Sequence, residues 1–289
     1  MTGILVVNKP MDYTSHDIIA ILKGITGEKK LGHTGTLDPN ATGVLPVCFG
    51  KATRLIEYME VSSKTYVCTC RLGLSSNTDD IWGELTDNGS FDFPSQDRVE
   101  EILSSFKGEI SQIPPMYSAV RVNGRRLYSY ARTGDSVEVK PRKIHIYDIS
   151  LSGYYPCRSE IVFSVTCSRG TYIRTICKDI GQAVGCGAVM SALVRTSTSG
   201  FDISEAIDFE ELRKMSREEV LAKFLTIDRA ISDMTRLNLE GKNANLFGNG
   251  VTVIENGPDE EKLAIFFGNE LIGIAQRENN HLKPLKVFN

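Results

Sequence analysis

No apolar run in these 289 residues is long enough to span a bilayer. Met1 to Pro10 lacks the basic start and long apolar core of a secretory leader, so a cytoplasmic protein is expected. Seven cysteines, an odd number, include no Cys-x-x-Cys pair. Cys68 and Cys70 share a strand face, but no second ligand pair has metal-site spacing, so reduced apolar cysteines are expected and no metal. The four histidines, His16, His33, His145 and His281, show no ligand spacing and no His-Glu-x-x-His. Gly50-Lys51 fails as a phosphate loop: Leu45 stands where the first glycine belongs, and Ala52 where Ser or Thr belongs. Gly-x-Gly-x-x-Gly and Gly-x-Ser-x-Gly are absent too. Serine hydrolase, zinc hydrolase, nucleotide-hydrolysing and dinucleotide-dependent chemistry therefore have no support.

What is present is ordinary in bulk: 41% hydrophobic, 24% charged, net charge −3. The charge is unevenly spread. Residues 121–143 hold seven cations against two anions. Tyr117, Tyr128 and Tyr130 lie among or beside them. Cations pair with phosphates and tyrosines stack on unpaired bases, so this stretch reads as an RNA face or as a solvated hairpin.

Ile4 to Val7 predicts a buried strand. Thr14 with Asp17 predicts a capping box at the start of a helix carrying Ile18, Ile19, Ile21, Leu22 and Ile25. Leu31 to Gly50 reads as a glycine-punctuated loop region, and Ala52 to Met59 as a helix. Lys64 to Leu74 alternates as a strand, with Tyr66, Cys68 and Cys70 on one face. Asn77 to Gly89 is polar and turn-rich, and Asp97 to Phe106 is a short amphipathic helix. Residues 107–142 form a basic excursion with a tight turn at Asn123-Gly124. Strands follow at Ile144 to Ser152 and Glu160 to Cys167. Thr171 is placed to cap a helix with the apolar stripe Ile173, Ile176, Cys177, Ile180, Ala183 and Val184. Arg174 near its start is unusual, because helix starts favour anions, and it points to a separate partner. Ile207 to Asp233 is helical and loop-like by turns. Strands at Gly250 to Glu255, Lys262 to Phe267 and Glu270 to Gln276 end the chain.

One segment stands out: Gly32-His33-Thr34-Gly35-Thr36-Leu37-Asp38-Pro39-Asn40-Ala41-Thr42-Gly43-Val44-Leu45. Asp38-Pro39 stiffens it, and small side chains leave room around the carboxylate. A lone Asp-Pro is usually just a turn. The whole segment, however, resembles the catalytic motif of the TruB family of tRNA pseudouridine synthases. Asn8-Lys9-Pro10 with Thr14-Ser15, Lys64-Thr65-Tyr66, Gly124-Arg125-Arg126-Leu127-Tyr128, Ala131-Arg132-x-Gly134, Cys167 to Arg174, and Leu193-Val194-Arg195-Thr196 with Gly200-Phe201 resemble further family motifs, in order. Departures fall at Ser75-Ser76-Asn77, Trp82 and Val194.

The resemblance implies an α+β fold. A pseudouridine synthase catalytic domain (1–229) with a mixed, largely antiparallel sheet and flanking helices carries an RNA-gripping insertion at about 107–142. A small β-rich, PUA-like RNA-binding domain (230–289) follows. The implied reaction isomerises uridine-55 in the tRNA T-arm to pseudouridine, in a monomer that needs no cofactor, membrane or protein partner. Asp38 is the implied catalytic carboxylate. Tyr66 would stack on the flipped base and take part in proton removal, and Asp80 would contact the target base. Arg174 would pair with Asp38, and Tyr172 and Leu193 would wall the site. His33 would fill the gap left by the base, and Arg125, Arg126 and Arg132 would grip RNA. Rival readings are a tRNA-folding chaperone and a guide-dependent enzyme for another RNA.

Overall fold

The apolar start of the chain forms β1 (Gly3–Lys9), buried over nearly its whole length. The computed structural model describes residues 1–59, 63–232 and 234–288. After β1 the chain enters α1 (Ser15–Thr26) through the expected capping box. The Thr14 hydroxyl accepts from the Asp17 N–H, and the Asp17 carboxylate accepts from the Thr14 N–H. A cap of this kind contributes about 1 kcal/mol.

Residues 31–50, read as loop, are largely strand: β2 (Leu31–His33) and β3 (Thr42–Phe49). The flanking glycines and Pro46 hid β3. It is buried from Gly43 onward, so its apolar residues run continuously instead of alternating. Gly43 has φ 105°, and a Cβ there would lie 2.2 Å from the Arg195 carbonyl oxygen. The two strands meet too closely for any side chain at that position.

The helix expected over 52–59 is a tighter 3₁₀ turn (Gly50–Leu55) running into α2 (Ile56–Met59). Next comes β4 (Lys64–Leu72), with Tyr66, Cys68 and Cys70 buried on one face as predicted. It stops at Gly73, where the chain turns into a small hairpin, β5 (Leu74–Ser76) just before the polar stretch and β6 (Leu85–Asp87) inside it. α3 (Gln96–Ser105) and β7 (Gly108–Gln112) follow. β7 joins the main sheet, so the excursion from it begins after Gln112. It contains β8 (Arg121–Val122) and β9 (Arg125–Arg126) around Asn123-Gly124, then α4 (Leu127–Thr133). β10 (Arg142–Tyr155), β11 (Glu160–Cys167), α5 (Ile173–Val184) and β12 (Ala188–Thr198) return to the sheet. β13 (Phe201–Asp202), β14 (Ile207–Asp208), α6 (Phe209–Leu212) and α7 (Arg217–Ala222) complete this part.

The main sheet has ten strands in the order β14-β1-β3-β12-β4-β11-β10-β7, with β2 on β3 and β13 on β12. Only β1–β14 and β3–β12 pair in parallel, so the sheet is mixed and largely antiparallel. α3 and α5 pack Val99, Leu103, Ile176 and Ile180 against Cys68, Phe163 and Val165. α1 packs Ile18 and Leu22 against Leu5, Val7 and Val47. Each such apolar side chain, fully buried, contributes about 1.5–3 kcal/mol. In α5 the predicted stripe holds at Ile173, Ile176, Cys177 and Ile180, while Ala183 is exposed.

A second sheet closes the chain: β15 (Thr235–Asn238), then α8 (Gly241–Gly248), β16 (Val253–Ile254), β17 (Glu260–Phe267), β18 (Glu270–Glu278) and β19 (His281–Val287). Its order is β15-β17-β18-β19-β16. The sequence pattern marks the middle strands of this sheet but not β15, β19 or α8. Asp233, the end of the preceding irregular segment, lies outside the described residues. Ala264, Phe266, Ile274 and Phe288 share one apolar cluster with Ile4, Val6 and Val44, so this sheet backs the β1–β3 half of the first.

Candidate active site

Asp38 sits on the loop between β2 and β3, and neighbouring elements fix that loop on both sides of it. Ahead of Asp38, the Leu37 N–H donates to the Ser15 hydroxyl at 3.0 Å, from the first residue of α1. Behind it, Lys9 Nζ donates to the Pro39 carbonyl at 3.0 Å and to the Pro10 and Tyr13 carbonyls. The Ala41 N–H closes a turn onto the Asp38 carbonyl at 3.0 Å. Arg195 Nη2 donates to the Gly35 carbonyl at 3.1 Å and Nε to the Val44 carbonyl at 2.8 Å. The Asn8-Lys9-Pro10 and Thr14-Ser15 motifs thus hold the aspartate loop. Lys9, Ser15 and Arg195 were noted in the sequence only as parts of motifs.

Arg174 is the hub. It is buried in the first turn of α5, with Nη2 3.2 Å from Asp38 and Nη1 3.6 Å from Asp80. It also donates to the Thr78 carbonyl at 3.2 Å and the Tyr117 carbonyl at 3.0 Å. The two carboxylates account for a cation at a helix start. Thr171 does not cap α5 as expected. Its hydroxyl bonds back to the Ser168 carbonyl, and Tyr172 takes the N-cap position without a side-chain cap bond. Instead the buried Gln112 amide holds the Tyr172 backbone at both its N–H and its carbonyl.

Asp38, Tyr66, Tyr172, Arg174 and Leu193 line one cavity of about 110 Å³, with Thr36, Leu37, Thr171, Ile173 and Met190. Thr36 was marked only as part of the aspartate segment, and nothing distinguishes Met190 in the sequence. Asp80 lies across Arg174 in a neighbouring cavity of about 240 Å³, reached also by Asp38. It accepts hydrogen bonds from the Thr78 hydroxyl and the Trp82 N–H. His33 lines neither cavity. It sits on β2, edge-on to His16 at 5.4 Å, with Nδ1 accepting from the Gly35 N–H. A larger cavity, about 860 Å³, lies between the two sheets beside Lys51 and Phe288 and contains none of these residues.

Burial is the main influence on Tyr66, Lys9 and His33. It pushes the Tyr66 phenol up, against the opposing pull of the Arg195 guanidinium, so Tyr66 is a neutral phenol near pH 7. Burial lowers Lys9 to about 8, with Asp38 pulling the other way. It lowers His33 to about 4, helped by the positive charges of His16, Arg195 and Lys64, so His33 is neutral. Arg195 is fully buried, and no carboxylate among the described residues pairs with it. The buried cysteines are free thiols; burial raises them where a shift is resolved, except that Cys70 is raised first by its contact with Cys177 and then by burial. Cys68 and Cys177 face each other at 3.4 Å. Among the described residues no His, Cys, Asp and Glu group is arranged to hold a metal ion.

The three arginines of the excursion differ. Arg125 is tied inward, to Asp135 at 2.8 Å, to Thr133 and the Ser129 carbonyl, and it lies over the Tyr130 ring. Arg126 and Arg132 both lie over the Tyr128 ring, 5.8 and 5.5 Å from its centroid. No helix among the described residues is long and apolar enough to cross a membrane.

An aspartate loop, a buried arginine and an aromatic strand residue thus meet at one cavity on the mixed sheet. The fold matches a chain of a Cbf5–Nop10–Gar1 complex, with a TM-score of 0.75 and 24% identity over 99% of this chain and 85% of that one. It also matches a chain of an H/ACA RNP bound to a substrate RNA containing 2′-deoxyuridine, with a TM-score of 0.74 and 23% identity over 99% of this chain and 85% of that one. Residues 23–173 match the family model described as TruB family pseudouridylate synthase, N-terminal domain. Residues 174–237 match the tRNA pseudouridylate synthase B C-terminal domain. The tRNA pseudouridine synthase B of Streptococcus mutans is 40% identical over 100% of this chain and 99% of its own length. That of Clostridium kluyveri is 40% identical over the whole of both chains. The chain belongs to the TruB family of pseudouridylate synthases.

Proposed function

We propose that this chain isomerises uridine-55 of the tRNA T-arm to pseudouridine, with Asp38 as the catalytic carboxylate. The observation that carries the reading is the half-exposed Asp38 carboxylate held against buried Arg174 in a cavity walled by Tyr66, Tyr172 and Leu193. The reaction breaks the N1–C1′ bond and forms C5–C1′. C5 gives up its proton and N1 ends protonated, so atoms and electrons balance without a redox partner. Asp38 supplies the nucleophile or base that this exchange needs. A base within a stem-loop must be extruded to reach the cavity. Tyr66 stacks on the extruded uracil, while Tyr172 and Leu193 keep water out. Arg174 orients the Asp38 carboxylate through their ion pair. His33, being neutral, packs against RNA instead of moving a proton.

Residues 1–229 carry this chemistry in the proposed domain division, and residues 230–289 form a β-rich unit that extends RNA contact. Arg126 and Arg132, flanking Tyr128, grip RNA on the excursion, and Arg125 holds that excursion together. The protein acts in the cytoplasm, as a monomer, without a guide RNA or protein partner. Full-length identity of 38–40% to proteins named tRNA pseudouridine synthase B favours tRNA over a guided target. The test is incubation of the pure protein with unmodified tRNA and mapping of pseudouridine by chemical labelling. Asp38→Asn and Asp38→Ala should bind tRNA and form none. Binding by the wild type without any pseudouridine would leave the chaperone and guided readings standing and this one not.

A further inference from the structure

Trp82 is the only tryptophan in the chain, and it is 41% exposed. Its loop is nevertheless well anchored. The Ile81 N–H donates to the Met190 carbonyl at 2.9 Å, and the Met190 N–H to the Asp79 carbonyl at 3.1 Å. The Trp82 N–H itself bonds the Asp80 carboxylate at 3.1 Å. The indole is thereby held at a cavity of about 240 Å³ that also meets Asn40, Thr78 and Tyr117. This cavity and the smaller one containing Tyr66 share Asp38, Arg174 and Met190 as walls. They lie side by side, divided by the Asp38–Arg174 ion pair.

A nucleotide drawn into the Tyr66 cavity stays tethered to both neighbours, and at least one of them must pass close to Asp38. The adjoining cavity offers that neighbour an open indole and a half-buried tyrosine. It also offers the Asn40 amide, which has no hydrogen-bond partner among the described residues. An aromatic face with a free amide is what an unpaired base needs for stacking and for pairing at its edge. We propose that this second cavity is a subsite for the base of a nucleotide flanking the target, with Trp82 as its stacking platform and Asn40 as its edge contact. The inference rests on the uridine-isomerising reading for the identity of the neighbouring cavity's occupant.

A single tryptophan makes the test direct, because intrinsic emission reports Trp82 alone. T-arm stem-loops would be titrated in four forms: intact, abasic at the target, and abasic at either neighbour. Intact RNA should quench the emission. An abasic site at one neighbour should abolish the quench, whereas an abasic target should leave it. Trp82→Ala should weaken binding of the intact stem-loop about tenfold, and should not further weaken binding of the stem-loop lacking that neighbour's base. A quench that survives both neighbour substitutions, or that vanishes only with the target base, overturns the subsite. Pseudouridine formation, followed on the same intact RNA, separates the two readings. Product without a neighbour-dependent quench sinks the subsite alone. A neighbour-dependent quench without product sinks the isomerase reading and leaves the subsite in place.

Discussion

Arg174 and Asp38 form an ion pair with unequal surroundings: the Arg174 side chain is 8% exposed, the Asp38 side chain 46%. The cation is part of the core, and the carboxylate faces the space where substrate would sit. Three further acceptors, Asp80, the Thr78 carbonyl and the Tyr117 carbonyl, surround the same guanidinium. One side chain therefore joins the aspartate loop, the loop carrying Trp82 and the root of the basic excursion.

Arg174→Lys keeps the charge but not the planar fork, and one ammonium cannot meet four acceptors spread around it. The single-turnover rate with saturating enzyme should fall about a hundredfold, in the range typical of losing one oriented donor at a reacting centre. Retention of the wild-type rate would mean that charge alone suffices and that the orientation argument is wrong.

His33 gives a pH dependence with a defined sign. Its folded value is lowered to about 4 from the usual 6.5, chiefly by burial. Between these values the unfolded chain binds a proton that the folded chain does not, so stability rises with pH across that window. Acidification from pH 7 towards pH 4 should destabilise the wild type more than His33→Phe. The variant should gain about 2 kcal/mol relative to wild type over that range. Thermal melts at pH 7, 5.5 and 4 measure this. Parallel pH dependences in the two proteins would contradict a buried, neutral His33.

Two glycines make opposite predictions. Gly43→Ala places a Cβ 2.2 Å from the Arg195 carbonyl oxygen at φ 105°, and both objections are to backbone. It should cost several kcal/mol or prevent folding. Gly24→Ala, inside α1, meets nothing within 4 Å. It should raise stability by roughly 0.5–1 kcal/mol. Denaturant midpoints of both variants decide the matter.

The contrast between those glycines also shows where the sequence was legible. Local chemistry carries its own signal, so Thr14 with Asp17 announced α1, and the alternation at Tyr66, Cys68 and Cys70 announced β4. Arg174 was conspicuous because it sits badly with its own helix. β3 was missed because its constraints come from other parts of the chain: Gly43 is small on account of Arg195, and Pro46 stands in a strand buried on both faces. Lys9 and Arg195 were hidden for the same reason. What they bind are backbone carbonyls, which every residue has, so no partner residue type marks the contact. Asp80 shows the remaining limit. Motif position alone singled it out, and its place across Arg174 at 3.6 Å, in a cavity shared with Asp38, comes from the fold.

The excursion supplies the last prediction. Its arginines looked equivalent in the sequence, yet Arg125 satisfies Asp135, Thr133 and the Ser129 carbonyl, while Arg126 and Arg132 share the face of Tyr128. A cation that neutralises a phosphate releases counterions, and removing it lowers the salt dependence of binding by about 0.7–0.9 in the log–log slope. Arg126→Ala and Arg132→Ala should each show that loss, with weaker tRNA binding at low salt and unchanged melting. Arg125→Ala should instead loosen the excursion, seen as faster amide exchange across residues 121–135 in the free protein. Binding titrations at four salt concentrations, paired with exchange measurements, separate the two behaviours. A slope change for Arg125→Ala without any change in exchange would mean that Arg125 contacts phosphate and that its internal bonds give way to RNA.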